Sequence, residues 1–195
     1  MIEELLKKFA DRLDRNQIPY MIIGGQAVLL YGTPRLTRDI DITVGVDADQ
    51  VDLMVTTCRE LGLKILPENP DEFARQTNVL PAEHTQSGIR VDFIFSFSTY
   101  EIQALARAKK VPMSGYPVKF ATCEDIIIHK MIAGRAVDEE DVKNILIKNI
   151  PSIDLEYIEK WLLEFRQIPE YQHVLVNFQD LRKFTREPSG NDRQE

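Results

Sequence analysis

The stretch TPRLTRDIDITVGV, residues 33–46, places two aspartates one residue apart inside an otherwise apolar run. Asp39 and Asp41 are each followed by isoleucine, which is typical of a β-strand. Because side chains alternate across a strand, both carboxylates point to one face and both isoleucines to the other. Burying unpaired charge is costly, so two carboxylates on one face require a positive partner.

A third aspartate lies in a second strand-like segment, IRVDFIFSF, which is rich in β-branched and aromatic residues. Alternation along this strand puts Asp92 on the face opposite to Val91 and Phe93. If the two strands are neighbours, three carboxylates converge, and their like charges raise one another's pKa. One or two hard divalent cations would remove this conflict, and oxygen-only ligands favour Mg²⁺ or Mn²⁺ over zinc.

An ion-pair interpretation competes with the metal site. Asp39 and Asp41 could lie at a polar strand end or pair with Arg35 and Arg38, and these arginines could equally bind a nucleotide. One ion pair balances the charge of only one carboxylate, and three are present here, which favours metal binding. The three histidines have no ligand spacing to one another and are assigned no metal: His84, His129 and His173.

A glycine turn precedes this region in the segment IIGGQAVLLYG, residues 22–32. Gly24 and Gly25 lie between a predicted strand and a short predicted helix that Gly32 closes. Glycines allow close backbone approach, and a helix N-terminus offers free N–H groups to a phosphate. Glycine pairs are also common in ordinary turns. The aspartate pair that follows, and the third aspartate on a later strand, favour phosphate binding.

Composition limits the class of protein. The chain has 195 residues, of which 44% are hydrophobic, and a net charge of −7, which argues against a broad nucleic-acid or anionic-membrane surface. Cys58 and Cys123 have no CxxC spacing, which predicts two reduced thiols rather than a disulfide or zinc knuckle. The first residues predict a mixed-charge helix rather than a signal peptide, and no apolar run could span a bilayer. We therefore expect a cytoplasmic protein without a membrane partner.

Strands and helices alternate over the first two thirds of the sequence and helices fill the last third, which predicts an α/β (α+β) fold. We expect a core at residues 1–121, a helical C-terminal portion at 122–184 and a flexible tail at 185–195. Residues 64–90 contain three prolines and are predicted to hold short strands and a loop. A further helix is predicted after the strand that contains Asp92. The segment after that helix, KKVPMSGYPVKFA, is predicted to be a hairpin that turns at Ser114-Gly115.

Two polar features stand out in the helical third. Lys130 sits in the nearly all-apolar segment IIIHKMIAG, where it either extends to solvent or points into a cleft as a phosphate ligand. Asp138 and Asp141 are interpreted most simply as a helix cap with a carboxylate matched to the helix dipole. A substrate role for these two aspartates is the less favoured alternative. Thr37 likewise either binds a phosphate or begins the strand that follows it.

The segments IIGGQAVLLYGTPRLTRDIDITV and VDFIFS together resemble the nucleotidyltransferase superfamily of DNA polymerase beta. The superfamily pattern is a hydrophobic residue and two small residues, a helix, two acidic residues one apart, and a third acidic residue on a later strand. The form GG.A...YG.PR.TRDIDI is similar to the small bacterial AbiEii-type toxins and minimal nucleotidyltransferases. The segment EDIIIHKMIAGRAVDEEDVKNIL resembles their C-terminal half, so the likeness covers roughly residues 18–148.

This resemblance implies a nucleotidyltransferase fold, with a mixed twisted β-sheet flanked by helices and further helices appended. Asp39 and Asp41 would hold the metal ion that carries the triphosphate, and Asp92 would join them around a second Mg²⁺ or Mn²⁺ ion. Gly24 and Gly25 would cradle the phosphates. The resemblance also favours the phosphate-binding role of Lys130, and the nucleotide-binding set is completed by Thr37 and Arg38.

The resemblance further implies an enzyme that moves a nucleoside monophosphate from an NTP to a hydroxyl, with pyrophosphate as the leaving group. The acceptor could be a tRNA end, a protein or a small molecule, and the enzyme could be a toxin with an antitoxin partner. The alternative is a non-catalytic relative that binds a nucleotide or a partner. A purely structural module is least favoured, because the glycine turn and the aspartate pair would then have no role.

Overall fold

The computed structural model describes residues 1–34, 36–37, 39–96 and 98–184. The helices are α1 (Ile2–Arg15), α2 (Gly24–Tyr31), α3 (Val51–Leu61), α4 (Pro70–Thr77), α5 (Thr99–Arg107), α6 (Cys123–Ala133), α7 (Ala136–Asn149), α8 (Leu155–Phe165) and α9 (Val174–Phe184). The strands are β1 (Tyr20–Ile23), β2 (Asp39–Val44), β3 (Leu63–Ile65), β4 (Val79–His84), β5 (Ile89–Phe95), β6 (Lys109–Met113) and β7 (Tyr116–Phe120). Arg35, Arg38 and the predicted tail at 185–195 lie outside the described residues.

The strands form one mixed sheet in the order β3-β4-β5-β2-β1-β7-β6. β2 pairs in parallel with β5, and β1 pairs in parallel with β7. The other neighbouring strands are antiparallel. The mixed sheet with flanking helices confirms the fold class that the sequence predicts.

The chain divides into two compact units. The first comprises Met1–Ala27 and Arg35–Thr122 and contains the whole sheet. The second comprises Val28–Pro34 and the chain from Cys123 onward. The boundary between the units therefore runs through α2, so that the second half of this short helix groups with the helical part of the chain.

The core of the first unit explains why the aspartates lie on one face of the sheet. Ile40 and Ile42 of β2 are completely buried, as are Val91 and Phe93 of β5. These four side chains occupy one face of the two central strands. Strand alternation then directs the intervening aspartates to the opposite face, where Asp39 is exposed and Asp41 and Asp92 are half-buried.

The prediction for residues 64–90 is wrong in one respect, because the segment PDEFARQT forms the helix α4 rather than a loop. Pro70 stands at the start of this helix, where its missing N–H and fixed φ are favourable. The side chain of Asn69 caps the helix by accepting a hydrogen bond from the backbone N–H of Glu72. The segment with its three prolines is predicted from the sequence to hold short strands and a loop, although Pro70 begins a helix.

The predicted hairpin is confirmed. β6 and β7 pair from Lys109↔Phe120 to Met113↔Tyr116, which leaves Ser114 and Gly115 as the two-residue turn. Both turn residues have positive φ, at 45° and 79°, as a tight turn matched to the strand twist requires.

The second unit is helical, with a core of aliphatic and aromatic side chains. Ile126, Ile145, Ile158 and Phe178 come from four different helices and are completely buried. None of the helices in the described part of the chain is long and apolar enough to cross a membrane.

The thiol of Cys58 is predicted to be unreactive in the folded protein. Both cysteines are free and buried, and burial raises the pKa of the Cys58 thiol to about 12. Almost no thiolate is then present near neutral pH, and the thiolate is the reactive form. We expect a chromogenic disulfide reagent to label neither cysteine until denaturant unfolds the chain. Fast labelling of Cys58 in the native protein would contradict the buried position of α3.

Candidate functional site

The register between β2 and β5 places Asp41 beside Asp92. The two residues are direct partners in the parallel pair, and neighbouring strands lie about 4.8 Å apart. Both side chains project from the same face of the sheet, because partners in register share a face. Asp39 lies two residues earlier on β2 and projects from this face as well. The strand adjacency on which the predicted carboxylate cluster depends is therefore present.

Arg90 is the positive partner of Asp92 in this structure. Its Nε lies 3.0 Å from both Oδ1 and Oδ2 of Asp92. Arg90 stands two residues before Asp92 on β5, and its register partner on β2 is Asp39. The guanidinium therefore lies on the carboxylate face, with 57% of the side chain exposed.

The loop before β2 is tied to the first aspartate. Thr37 donates a hydrogen bond from Oγ1 to Oδ1 of Asp39, at 2.8 Å. The buried Gln26 of α2 approaches the backbone oxygen of Asp39, with Nε2 at 3.3 Å. Thr37 precedes the strand, which begins at Asp39, so the prediction that Thr37 begins the strand is wrong. Its predicted phosphate role stays a prediction.

Gly24 makes room for the Asp41 carboxylate. It has a φ of +61°, and a Cβ placed on it would overlap Oδ2 of Asp41 and lie 2.8 Å from Cγ. Gly25 makes room for Thr37 in the same way, since a Cβ there would lie 2.8 Å from the Cβ of Thr37. The glycine pair thus lets the start of α2 lie directly against the aspartate strand.

The residues present fit part of a divalent-cation site. Asp41 and Asp92 would supply oxygen ligands from neighbouring strands, and the start of α2 at Gly24 and Gly25 lies beside Asp41. Among the described residues, however, no group of three His, Cys, Asp or Glu side chains is arranged to hold a metal ion. Arg90 occupies the Asp92 carboxylate that a three-carboxylate site would use.

Lys130 lies in the second unit, where its side chain is only 5% exposed. Its Nζ is 2.6 Å from Oδ1 of Asp138 and 2.9 Å from Oδ2 of Asp141. The alternative that Lys130 extends to solvent is wrong, since the ammonium is buried between two carboxylates. The role of Lys130 as a phosphate ligand stays a prediction, and a phosphate would have to compete with the two carboxylates for its ammonium.

Asp138 is not the N-cap residue of its helix, but it does take part in the cap: its Oδ2 accepts a hydrogen bond from the backbone N–H of Arg135 at 3.3 Å. α7 begins at Ala136, with Arg135 as the N-cap residue, so Asp138 stands in the first turn. Its carboxylate accepts hydrogen bonds from Nε of Arg135 at 2.6 Å and from Nζ of Lys130. Burial alone would raise the pKa of Asp138, but the hydrogen bonds and charges of Arg135 and Lys130 outweigh burial and hold the pKa below its ordinary value.

A family profile described as a nucleotidyltransferase of unknown function (DUF6036) matches residues 1–186 of the chain. The protein belongs to this nucleotidyltransferase family. It is therefore an enzyme of the class that transfers nucleoside monophosphates. The resemblance to nucleotidyltransferases drawn from the sequence is thereby confirmed. No match was found among curated proteins.

Solved structures similar to this nucleotidyltransferase share its fold. An antigenic nucleotidyltransferase-like protein from Paracoccidioides brasiliensis has a TM-score of 0.54 and 18% identity, over 93% of this chain and 88% of its own. The antibiotic-resistance factor ANT(2'')-Ia has a TM-score of 0.52 and 19% identity, over 91% of each chain. The lincosamide antibiotic adenylyltransferase LnuA, in its lincomycin-bound form, has a TM-score of 0.51 and 17% identity, over 73% of this chain and 94% of its own.

Sequence reasoning missed the role of Arg90 in this nucleotidyltransferase. The signal was available, because a residue two positions before Asp92 on a strand shares its face. The pairing of Lys130 with Asp138 and Asp141 was also missed. Spacing within a helix shows that Asp138 and Asp141 share a face, but it does not show which residue of another helix packs against them.

Replacing Gly24 with alanine is predicted to damage the site beyond the effect of backbone strain. The left-handed conformation costs a non-glycine residue about 1–2 kcal/mol. At Gly24 the new methyl group would also displace the Asp41 carboxylate. We expect Gly24→Ala to lower the free energy of unfolding, measured by urea denaturation, and to weaken nucleotide binding.

Gly88→Ala is the matched control for this change. Gly88 has a similar φ of +66°, but a Cβ there would meet nothing within 4 Å. This variant should lower the free energy of unfolding only by the cost of backbone strain, and it should leave nucleotide binding unchanged. Equal losses of binding in the two variants would contradict the contact between Gly24 and Asp41.

Removing the charge of Lys130 is predicted to destabilise the nucleotidyltransferase strongly. Lys130→Met would leave Asp138 and Asp141 buried without this partner, and breaking a buried ion pair typically costs about 3–5 kcal/mol. Lys183→Met removes an exposed lysine of the same unit and should cost less than about 1 kcal/mol. A small effect of Lys130→Met in urea denaturation would contradict the buried cluster.

The lowered pKa of Asp138 predicts an acid-sensitive stability. In the acid range the unfolded chain binds more protons at this carboxyl than the native protein does. The contribution of the ionised Asp138 to the free energy of unfolding is therefore fully present above the unfolded pKa, which is about 3.9. It is lost as the pH falls through the lower native pKa. We expect Asp138→Asn to flatten the decline of the free energy of unfolding below about pH 4. An unchanged acid limb would contradict the ion pairs at Asp138.

Proposed function

We propose that this nucleotidyltransferase transfers a nucleoside monophosphate from an NTP to a hydroxyl group in a reaction that depends on Mg²⁺, with Mn²⁺ as a substitute. One observation carries the proposal: Asp41 and Asp92 are register partners on neighbouring strands, and the Asp41 carboxylate lies against the glycine turn at Gly24. Oxygen ligands of this kind, beside the N-terminus of a helix, suit a metal-bound triphosphate.

The glycine turn supports the position of the phosphates. α2 begins at Gly24, so its first backbone N–H groups have no partner within the helix. Gly25 lets the Thr37 side chain pack directly against the first turn of α2. The proposal places the β- and γ-phosphates at this turn, with Thr37 and Arg38 as further candidate ligands.

Asp39, Asp41 and Asp92 would hold the divalent cations. When bound, the ions would neutralise the triphosphate and favour departure of pyrophosphate. The chain's own contribution is to fix the carboxylates on two paired strands, which cannot shift independently. Arg90 must release Asp92 before that carboxylate can serve as a ligand, because its Nε contacts both oxygens.

The acceptor is proposed to be a hydroxyl group of a small molecule, a protein or a tRNA end. A structure of ANT(2'')-Ia contains adenylyl-2''-tobramycin, and the LnuA structure contains lincomycin, so two proteins of this fold bind small antibiotics. The net charge of −7 makes an extended nucleic-acid surface the least favoured of the three.

Label transfer tests the proposed reaction directly. Purified protein would be incubated with each α-labelled NTP, Mg²⁺, and either cell lysate, total tRNA or a panel of hydroxyl compounds. We expect transfer from one or more NTPs, and a loss of about 100-fold or more in Asp41→Asn and in Asp92→Asn. Asp52→Asn, an exposed aspartate on α3, is the matched control and should retain transfer.

The metal requirement has its own readout. Chelation with EDTA should abolish transfer, and Mg²⁺ or Mn²⁺ should restore it, since both prefer oxygen ligands. Transfer that persists in Asp41→Asn, or that is unaffected by EDTA, would contradict the proposed site.

The toxin role implied by the sequence resemblance stays a prediction. Induced expression of the wild-type chain would then arrest bacterial growth, whereas Asp41→Asn would not. Growth arrest by both proteins would point to an effect that does not require the nucleotidyltransferase site.

A further inference from the structure

A second feature of the carboxylate face is a surface cavity of about 490 Å³ in the first unit. It is bounded by α4 and by the segment that follows β3. Its apolar lining comes from Leu66, Phe73 and Pro81, and its charged lining from Glu68, Glu72 and Arg90. Phe73 and Leu66 are 37% and 41% exposed, so both large apolar side chains are accessible to a ligand in the cavity.

The cavity continues directly from the aspartates. Pro81 of β4 is the register partner of Asp92 on β5, so their side chains share one face of the sheet. Arg90 connects the two features, since it lines the cavity and binds both oxygens of Asp92. Four features follow one another across this face in the order of the strands: the glycine turn after β1, Asp41 on β2, Asp92 on β5, and the cavity at β4.

The charge of the cavity indicates which ligands it suits. The lining carries Glu68, Glu72 and Arg90, so its net charge is −1, and it is −2 while Arg90 stays paired with Asp92. Glu72 accepts hydrogen bonds from the neutral amides of Asn69 and Gln76, and these do not cancel its charge. An apolar floor with two carboxylates at its edge is complementary to a cation that has an apolar body.

We infer that this cavity binds the acceptor, and that the acceptor is a small hydroxyl compound with an apolar body and a positively charged nitrogen. The inference rests on the proposed function. It adds the side from which the acceptor enters, next to Asp92 and opposite to the glycine turn, and the chemical class of the acceptor. In the transfer step the acceptor oxygen forms a bond to the α-phosphorus, the bond from the α-phosphorus to the bridging oxygen of pyrophosphate breaks, and the hydroxyl proton passes to solvent.

Three phenols of equal size but different charge test this assignment. Tyramine carries a positive charge, tyrosol is neutral, and 4-hydroxyphenylacetate is negative, while all three share the ring and the hydroxyl. In an NMR titration of the full chain, we expect tyramine to bind about fivefold more tightly than tyrosol for each carboxylate engaged, and 4-hydroxyphenylacetate to bind most weakly. The largest amide shifts should lie at Leu66, Phe73 and Arg90.

Charge variants separate a local effect from the overall charge of the chain. Glu68→Gln/Glu72→Gln should remove the preference for tyramine over tyrosol. Glu3→Gln/Glu4→Gln makes the same change in net charge on exposed positions of α1 and should leave the preference intact. Equal affinity of the wild type for the three phenols, amide shifts centred elsewhere, or an equal loss in both double variants would overturn the inference.

Competition separates this inference from the proposed function. If label transfer occurs and depends on Asp41, saturating tyramine should reduce it at least severalfold by occupying the acceptor site or by accepting the label itself. Unchanged labelling of the original acceptor, and none of tyramine, would overturn the inference while the proposed function stands. If no NTP is used at all, the proposed function fails, and with it the assignment of the cavity to an acceptor.

Discussion

Two like-charged carboxylates held side by side on paired strands are the constraint on which this site depends. Asp41 and Asp92 are register partners, and the isoleucines and aromatic residues that alternate with the aspartates are buried in the core. Register cannot slip without turning that apolar face outward, so the fold itself fixes the repulsion between the two carboxylates. A positive charge must compensate it. In this structure Arg90 does so, and in the proposed reaction divalent cations would take its place.

The fold class and the strand pairing at the site could be predicted because they follow from two simple features. Side chains alternate along each strand, and the two aspartate strands are neighbours in the sheet. The spacing of Asp39 and Asp41 predicts which side chains of that strand face the core, and the sequence VDFIF predicts this for the neighbouring strand. Other features needed tertiary information. The helix α4 begins at Pro70, in a segment predicted to hold short strands and a loop, and Lys130 contacts Asp138 and Asp141 only after α6 and α7 pack together. Arg38 lies outside the described residues, so its predicted role stays a prediction.

The two charged clusters of the chain differ in a way that fits different roles. The Lys130 cluster is buried and internally balanced, since each carboxylate has a cationic partner at hydrogen-bond distance, and it is therefore suited to holding helices together. The cluster at Asp39, Asp41 and Asp92 is accessible and rich in carboxylates, and Arg90, which pairs with Asp92, has 57% of its side chain exposed. Carboxylates at an accessible place can be reached by a ligand, whereas charge balanced in the interior is available only for stability.

A structure of the protein with Mn²⁺ and a non-hydrolysable NTP tests the central claim most directly, because manganese can be located by its anomalous scattering. The account predicts a manganese ion coordinated by both Asp41 and Asp92, with Arg90 turned away from Asp92 and the phosphates beside Gly24 and Gly25. A manganese ion bound elsewhere, or an Asp92 that stays paired with Arg90 while the nucleotide is bound, would contradict it.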